Sequence, residues 1–316
     1  MILPVIQGFI YRVVKSSVVL VEFEDDFYVH HYLTRKYDVS FSFNRVCLQR
    51  AHQAVQNASD ALFRNFIFPE SVSRTNIPTA PALLCPGHKL DANQLSAVRH
   101  ILSIRGSPPY LLVGQLCVKK SGSPPYLLPG QFWDEKTNFR LSRTGVVVSE
   151  AVHQLCQTSH GNRILVCAPS NLCCDGLMRS LLKWIPESDM FRVNAAFREK
   201  EEVPEDILPS CLYKETYTSL VLRRRNFDIL VIFFLVDASS AIEPETLVAL
   251  TSFAEKNTTV IVTGEAENRW RWVQADMARK KGLKISLFER LSNSVPYCVE
   301  ASVQCSSHNW SIITSK

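Results

Sequence analysis

Apolar and polar positions along the chain change their period twice. Residues 9–14 and 18–23 are dense in β-branched and aromatic side chains, with polar Lys15-Ser16-Ser17 between them, which predicts two strands joined by a turn. Residues 38–43 alternate strictly, with Val39, Phe41 and Phe43 on one face, and predict a further strand. Over 46–64 the spacing turns helical, and Val46, Ala54, Val55, Ala61 and Leu62 supply a stripe for burial. A Pro- and Ser-containing stretch over 69–89 reads as a linker. From residue 90 onward short apolar runs alternate with helical patterns. Helices are expected at 93–102, about 148–157 and 172–184, and strands at 110–113, 163–167, 228–236 and 259–263. This alternation implies an α/β fold, a parallel sheet covered by helices on both faces.

One internal repeat interrupts the α/β part. Gly106-Ser-Pro-Pro-Tyr-Leu-Leu-Val-Gly-Gln-Leu-Cys-Val-Lys-Lys-Ser121 is followed directly by Gly122-Ser-Pro-Pro-Tyr-Leu-Leu-Pro-Gly-Gln-Phe-Trp-Asp-Glu-Lys-Thr137, a local tandem duplication over 106–137. A solenoid needs at least about three stacked units of longer period, so that architecture is excluded.

Composition narrows the class without naming it. The 316 residues suffice for two domains, and 46% hydrophobic with 21% charged content fits a folded globular protein. A formal charge of +5 permits a nucleic-acid partner without requiring one. The ten cysteines contain no C-x-x-C pair, and adjacent Cys173 and Cys174 suit neither a mutual disulfide nor a zinc clip; reduced, mostly buried thiols are expected. The apolar N-terminus is broken by Arg12, Lys15 and Glu22, unlike a signal peptide. The longest apolar run, 229–236, is far shorter than the roughly 20 residues that span a bilayer. These features predict a soluble cytoplasmic protein with no membrane contact.

Several strings in fixed order then point to a family. Gln7-Gly-Phe-Ile-Tyr-Arg-Val13, Tyr37-Asp-Val-Ser-Phe-Ser-Phe-Asn-Arg45, Leu90-Asp-Ala-Asn-Gln94, Ile164-Leu-Val-Cys-Ala-Pro-Ser-Asn171, Phe191-Arg-Val-Asn-Ala-Ala196 and Glu243-Pro-Glu245 together resemble superfamily-one RNA helicases of the Upf type. Within that type the chain is similar to the group of the plant silencing-defective helicase and animal Mov-ten. The resemblance runs from about residue 6 to 292. It implies a small β-barrel-like accessory domain with a trailing helix at 1–68, the linker at 69–89, one RecA-like P-loop domain at 90–292 and a divergent tail at 293–316. It also implies ATP and Mg2+ as cofactors, single-stranded RNA as ligand and RNA-silencing proteins as partners. Gln94 falls on the family's adenine-reading position. A second RecA-like half would be missing, and one half alone is not expected to unwind a duplex.

The nucleotide motifs depart from the family pattern. A P-loop reads G-x-x-x-x-G-K-[ST], because glycines let backbone N–H groups approach the phosphates, Lys reaches the β- and γ-phosphates and the hydroxyl holds magnesium. The first repeat offers Gly114, Lys120 and Ser121 but puts Lys119 in the second glycine slot; the second offers Gly130, Lys136 and Thr137 with Glu135 there. The competing reading, and the favoured one, is a surface hairpin or loop insertion with incidental Lys-Ser and Lys-Thr pairs. Thr144-Gly145 is a further candidate for the start of the phosphate-binding helix, although it lacks the Lys. If nucleotide binding survives, Lys120 is the better phosphate contact.

The carboxylates are reduced as well. The family's Walker B strand ends in Asp-Glu, the Asp anchoring hydrated magnesium and the Glu positioning the attacking water. Here the strand continues Leu235-Val-Asp-Ala-Ser239, so one carboxylate is lost whichever way it is aligned, and Asp237 is a remnant with magnesium ligation or plain turn-capping as its possible roles. Gly264-Glu-Ala-Glu-Asn268 stands where the family carries Gly-Asp-x-x-Gln. The short passage from 192 to 237 also puts the completeness of the sheet in question. Pro169, Ser170 and Asn171 lie in the family's RNA-backbone loop, and a strand running into Pro-Ser-Asn at a helix start offers N–H donors to an anion; capping of that helix by Ser170 or Asn171 is the compatible plainer role. Arg223-Arg-Arg225 and the basic stretch 269–284, with Trp270 and Trp272, add charge and stacking groups. The expectation is therefore a non-hydrolysing, RNA-binding remnant of a helicase. Two alternatives stay open: a protein-interaction module of silencing complexes that binds no RNA, and an ATPase completed in trans by another subunit.

Overall fold

The computed structural model describes residues 8–15, 18–23, 25–30, 36–40, 45–70, 75–76, 83, 87–114, 132–134, 139–158, 163–195, 198, 200–212, 230–255, 257–265, 276–294 and 297. In chain order the principal elements are β1 (Gly8–Lys15), β2 (Val18–Phe23), α1 (Val46–Asn57), α2 (Ala92–Ser103), β3 (Tyr110–Val113), α3 (Arg143–Thr158), β4 (Arg163–Cys167), α4 (Asn171–Leu181), β5 (Leu230–Leu235), α5 (Glu243–Phe253), β6 (Thr259–Gly264) and α6 (Leu287–Ser292). The chain divides into two compact units, Met1–Arg45 and Val46–Lys316.

In the first unit β1 and β2 pair antiparallel, with Gly8 opposite Phe23. Along β2 exposed and half-buried residues alternate, as expected of a strand with one covered face. A short helix, Asp25–His30, follows, and Phe27 stacks on Phe23 at 4.0 Å between ring centroids. Residues 36–40 form no strand: all five are exposed, and Val39 is 67% exposed, so alternation there has no surface to pack on. Residues 41–43 of the expected strand lie outside the described residues. Where the resemblance implies a barrel, the described residues show a two-stranded hairpin.

The second unit is built on a four-stranded sheet of order β3-β6-β5-β4, parallel throughout. Alternate strand residues enter opposite cores. Tyr110, Leu112, Ile232, Phe234 and Ile261 pack with α2, α3 and α4, while Leu111, Phe233, Leu235, Val260 and Val262 pack with α1, α5 and α6. This is the α/β architecture with helices on both faces. β5 is bonded to neighbours on both sides, with one register shift between Leu230 and Ile232.

Residues 46–67 belong to this unit. α1, a short turn at Asp60–Leu62 and a π-helical turn at Phe63–Ile67 bring Ala54, Leu62, Phe66 and Ile67 into the second core. Small Ala51 and Ala54 let α1 lie close on α5. Phe66 and Ile67 are each 1% exposed, and burying such side chains stabilises by about 1.5–3 kcal/mol apiece. The expectation grouped this helix with the β-domain; its apolar stripe instead finds its partner on the sheet.

α3 begins at Arg143, earlier than the expected 148, because Ser142 caps it: Gly145 N donates to Ser142 Oγ at 3.0 Å. Every residue from Thr144 to Leu155 is buried, so this helix runs through the middle of the first core.

Candidate functional site

Four parallel strands deliver the loops after them to one edge of the sheet, where ligands of open α/β folds bind. At that edge Gly114, which follows β3, donates its N–H to Gly264 O at 2.7 Å. Val236, after β5, donates to Cys167 O at 2.8 Å, and Asp237 N donates to Thr263 Oγ1 at 3.0 Å. Glu265 N donates to Ser239 Oγ at 3.0 Å. Segments 26 to 150 residues apart in the chain are thereby joined by hydrogen bonds.

The start of α3 closes on the loop after β3. Gly114 has φ 131°, and a Cβ there would lie 2.0 Å from Thr144 Oγ1, so only glycine fits. Thr144 Oγ1 donates to Val113 O at 3.3 Å. Gln94 is buried and engaged at both ends: its Oε1 accepts from Asp91 N at 3.1 Å and its Nε2 donates to Arg143 O at 3.0 Å. The first of these bonds completes a capping box with Asp91 at the start of α2. The Arg143 guanidinium pairs with the Asp91 carboxylate.

Lys119, Lys120, Ser121, Gly130, Glu135, Lys136 and Thr137 lie outside the described residues. Phe132–Asp134 pairs antiparallel with Phe139–Leu141, and Lys136 and Thr137 lie between these strands in sequence. The described start of a helix after β3 is the one at Arg143, with Thr144 against Gly114.

Asp237 ends β5 in the left-handed region, φ 52°, and is 6% exposed. Its side chain makes no capping bond to the following turn; Oδ2 instead accepts from Cys173 Sγ, on α4, at 3.4 Å. Burial pushes the Cys167 thiol up to about 12, with Cys174 beside it adding to the shift, and burial also raises Cys174. Both are therefore protonated thiols near neutrality. No group of three or more His, Cys, Asp or Glu suited to a metal occurs among the described residues, and the described cysteines are free.

Residues 168–170 join β4 to α4. Pro169 is exposed. Ser170 is the N-cap residue of α4, in extended conformation, and its side chain makes no capping bond. Asn171 does not cap the helix either: its Oδ1 accepts from Arg192 Nη2 at 3.0 Å. Arg192 Nε donates to Asp175 Oδ1 at 3.2 Å, and Arg198 Nη2 donates to Asp175 Oδ2 at 2.6 Å. Asp175 is 2% exposed, so its charge is met by two guanidiniums. Sequence reasoning missed this network. Arg192 lay within a string that carried the resemblance, but nothing in the local pattern tied it to Asn171. Of the basic residues, Arg279, Lys280, Lys281 and Lys284 are exposed, while Arg223 to Arg225, Trp270, Trp272 and Asn268 lie outside the described residues.

Over most of its length the chain is similar to a group of helicases. The chain is 26% identical over 287 residues to "Putative helicase mov-10-B.1" of Danio rerio, covering 81% of the chain and 26% of the relative. It is 27% identical over 294 residues to "Putative helicase MOV-10" of Gallus gallus, covering 81% and 28%, and 27% identical over 270 residues to "RNA helicase Mov10l1" of Mus musculus, covering 78% and 20%. Its relatives are helicases of the MOV-10 type. The chain spans about a quarter of the length of the MOV-10-type helicases it matches. No protein-family model matches it. Among the described residues no helix is long and apolar enough to cross a membrane.

Proposed function

We propose that this chain is a helicase-derived, RNA-binding α/β unit that holds single-stranded RNA by its phosphates and does not hydrolyse ATP. The observation that carries the reading is the loop 168–171: Ser170 leaves the first N–H groups of α4 uncapped by its side chain, and Asn171 is held by Arg192 beside them. The likeness to an RNA helicase of this type supports RNA as the ligand, and the family resemblance implies RNA-silencing proteins as partners.

ATP and Mg2+ belong to what the resemblance implies, and several contacts among the described residues support a reading without them. Thr144 stands against Gly114 at the helix start, Ser142 already caps that helix, and Arg143 is committed to Asp91. Gln94 has both ends engaged, and the one carboxylate ending β5 is Asp237, which faces Cys173. No catalytic step is derived through a nucleotide.

The test is fluorescence anisotropy of a labelled oligouridine with the full chain at two salt concentrations. Weak binding is expected, without sequence preference, falling about tenfold or more from low salt to ~200 mM as counterions are released. Absence of binding at low salt by a protein with a cooperative melt overturns the reading. It would favour a protein-docking module, for which one feature speaks: an apolar groove lined by Val55, Phe63, Phe68, Leu247, Leu283 and Ile285.

A further inference from the structure

The bond that holds Asn171 to Arg192 also fixes the direction of its amide, because it takes up the oxygen. Arginine carries donors only, so the Asn171 atom facing Arg192 Nη2 must be the carbonyl oxygen, and the amide orientation is fixed by chemistry. The Nδ2 group then points away from Arg192 and makes no bond to a described residue. Arg192 is itself held rigidly. Its Nε is bonded to buried Asp175, its Nη1 donates to Val193 O, and its side chain is 10% exposed. Asp175 in turn is anchored by Arg198 from the other side. Asn171 and Asp175 both lie on α4, one turn apart, so a guanidinium clamped to the second fixes the rotamer of the first.

We propose that Arg192 is a positioning residue for RNA: it holds Asn171 so that the Asn171 amide N–H2, beside the start of α4, donates to a non-bridging phosphate oxygen. This deepens the RNA-binding reading and rests on it. Arg192 does not touch the phosphate and acts through Asn171. Its planar fork reaches Asp175 and Asn171 together, which a lysine ammonium cannot do with the same preorganisation.

The test is a double-mutant cycle in the full chain, with oligouridine affinity as the readout and a thermal melt on every variant. Arg192→Lys, which keeps the positive charge, is expected to weaken binding about fivefold, within the range of one ordinary hydrogen bond. Asn171→Ala should weaken it by a similar factor. The double variant should be no weaker than Asn171→Ala alone, because the arginine acts only through the asparagine. The slope of log affinity against log salt should be unchanged in Arg192→Lys. Should that variant not fold, the wild-type protein still decides: the Asn171 side-chain amide resonance, assigned by its loss in Asn171→Ala, must shift on addition of oligouridine.

Additive losses in the cycle, or an unshifted Asn171 amide in a protein that does bind RNA, overturn the positioning role and leave RNA binding standing. Failure of the wild-type protein to bind oligouridine at all overturns the underlying reading instead.

Discussion

Glu150 is a carboxylate buried to 0% exposure in the middle of α3, and the donors around it explain why it can be there. Burial alone would push its pKa up. Hydrogen bonds from His88 Nδ1 at 2.8 Å and Gln154 Nε2 at 2.7 Å, the charge of His88 and the Gly87 N–H outweigh burial and hold it at about 2. A folded pKa below the unfolded one means that the stabilisation is complete above pH ~4.5 and is lost as pH falls toward 2. Glu150→Gln would face those donors with an N–H2 of its own, and is expected to lose about 3 kcal/mol of stability at neutral pH. Urea titrations at pH 7 and pH 3 check both points: the gap between wild type and variant should narrow at the lower pH, and a gap that does not change with pH would show the carboxylate's charge to be irrelevant. At the edge of the sheet Asn171→Asp makes the opposite case. The new carboxylate can still accept from Arg192, so the melt should move little, while its negative charge beside the RNA phosphate should lower oligouridine affinity. An unchanged affinity would place the RNA elsewhere on the molecule.

At the scale of elements, legibility followed the signal each element carries. β3 and β4 fall on the stretches expected of them, since a short, continuous apolar run bounded by polar or turn residues has few other uses. α3 was read late because Gly145 and the run Val146-Val147-Val148 score against a helix. Residues 38–40 show the converse: alternation was present, but a strand needs a partner and a surface, and exposed Val39 has neither among the described residues. The candidate site divides in the same way. The 168–171 loop was visible as a string, whereas the bond between Asn171 and Arg192 joins residues 21 apart and depends on how the chain after α4 folds back, which no local pattern encodes. The cap of α3 gives an element-scale prediction. Ser142→Ala removes the acceptor for Gly145 N and should cost about 1 kcal/mol, seen as a lower midpoint in urea with an unchanged m-value. No change in the midpoint would mean that the helix start is held by its packing on Gly114 and Gln94 alone.

At the scale of the whole molecule the question is whether the edge turns over ATP. Hydrolysis needs a cation on the β- and γ-phosphates, magnesium anchored by a carboxylate and a second group to place water. The described edge supplies Thr144 at the helix start and Asp237 directed at Cys173, and its four strand ends are tied to one another rather than held apart around a ligand. Purified chain should therefore release no phosphate from ATP above background, with or without magnesium and with or without polyuridine. If a nucleotide analogue binds at all, Lys120→Ala should weaken it more than Lys136→Ala. The first repeat's Gly114 directly follows β3 at the sheet edge, whereas Lys136 lies in sequence between the strands of a hairpin. Two measurements decide this, a phosphate-release assay and a titration with a fluorescent ATP analogue. RNA-stimulated, magnesium-dependent release that disappears in Asp237→Ala would establish a working ATPase and return Asp237 to the role of metal anchor. Stronger dependence of analogue binding on Lys136 than on Lys120 would move the phosphate contact to the second repeat. Silence in both assays, from protein that melts cooperatively and binds oligouridine, is the outcome expected of a sheet whose described strand ends are bonded to one another.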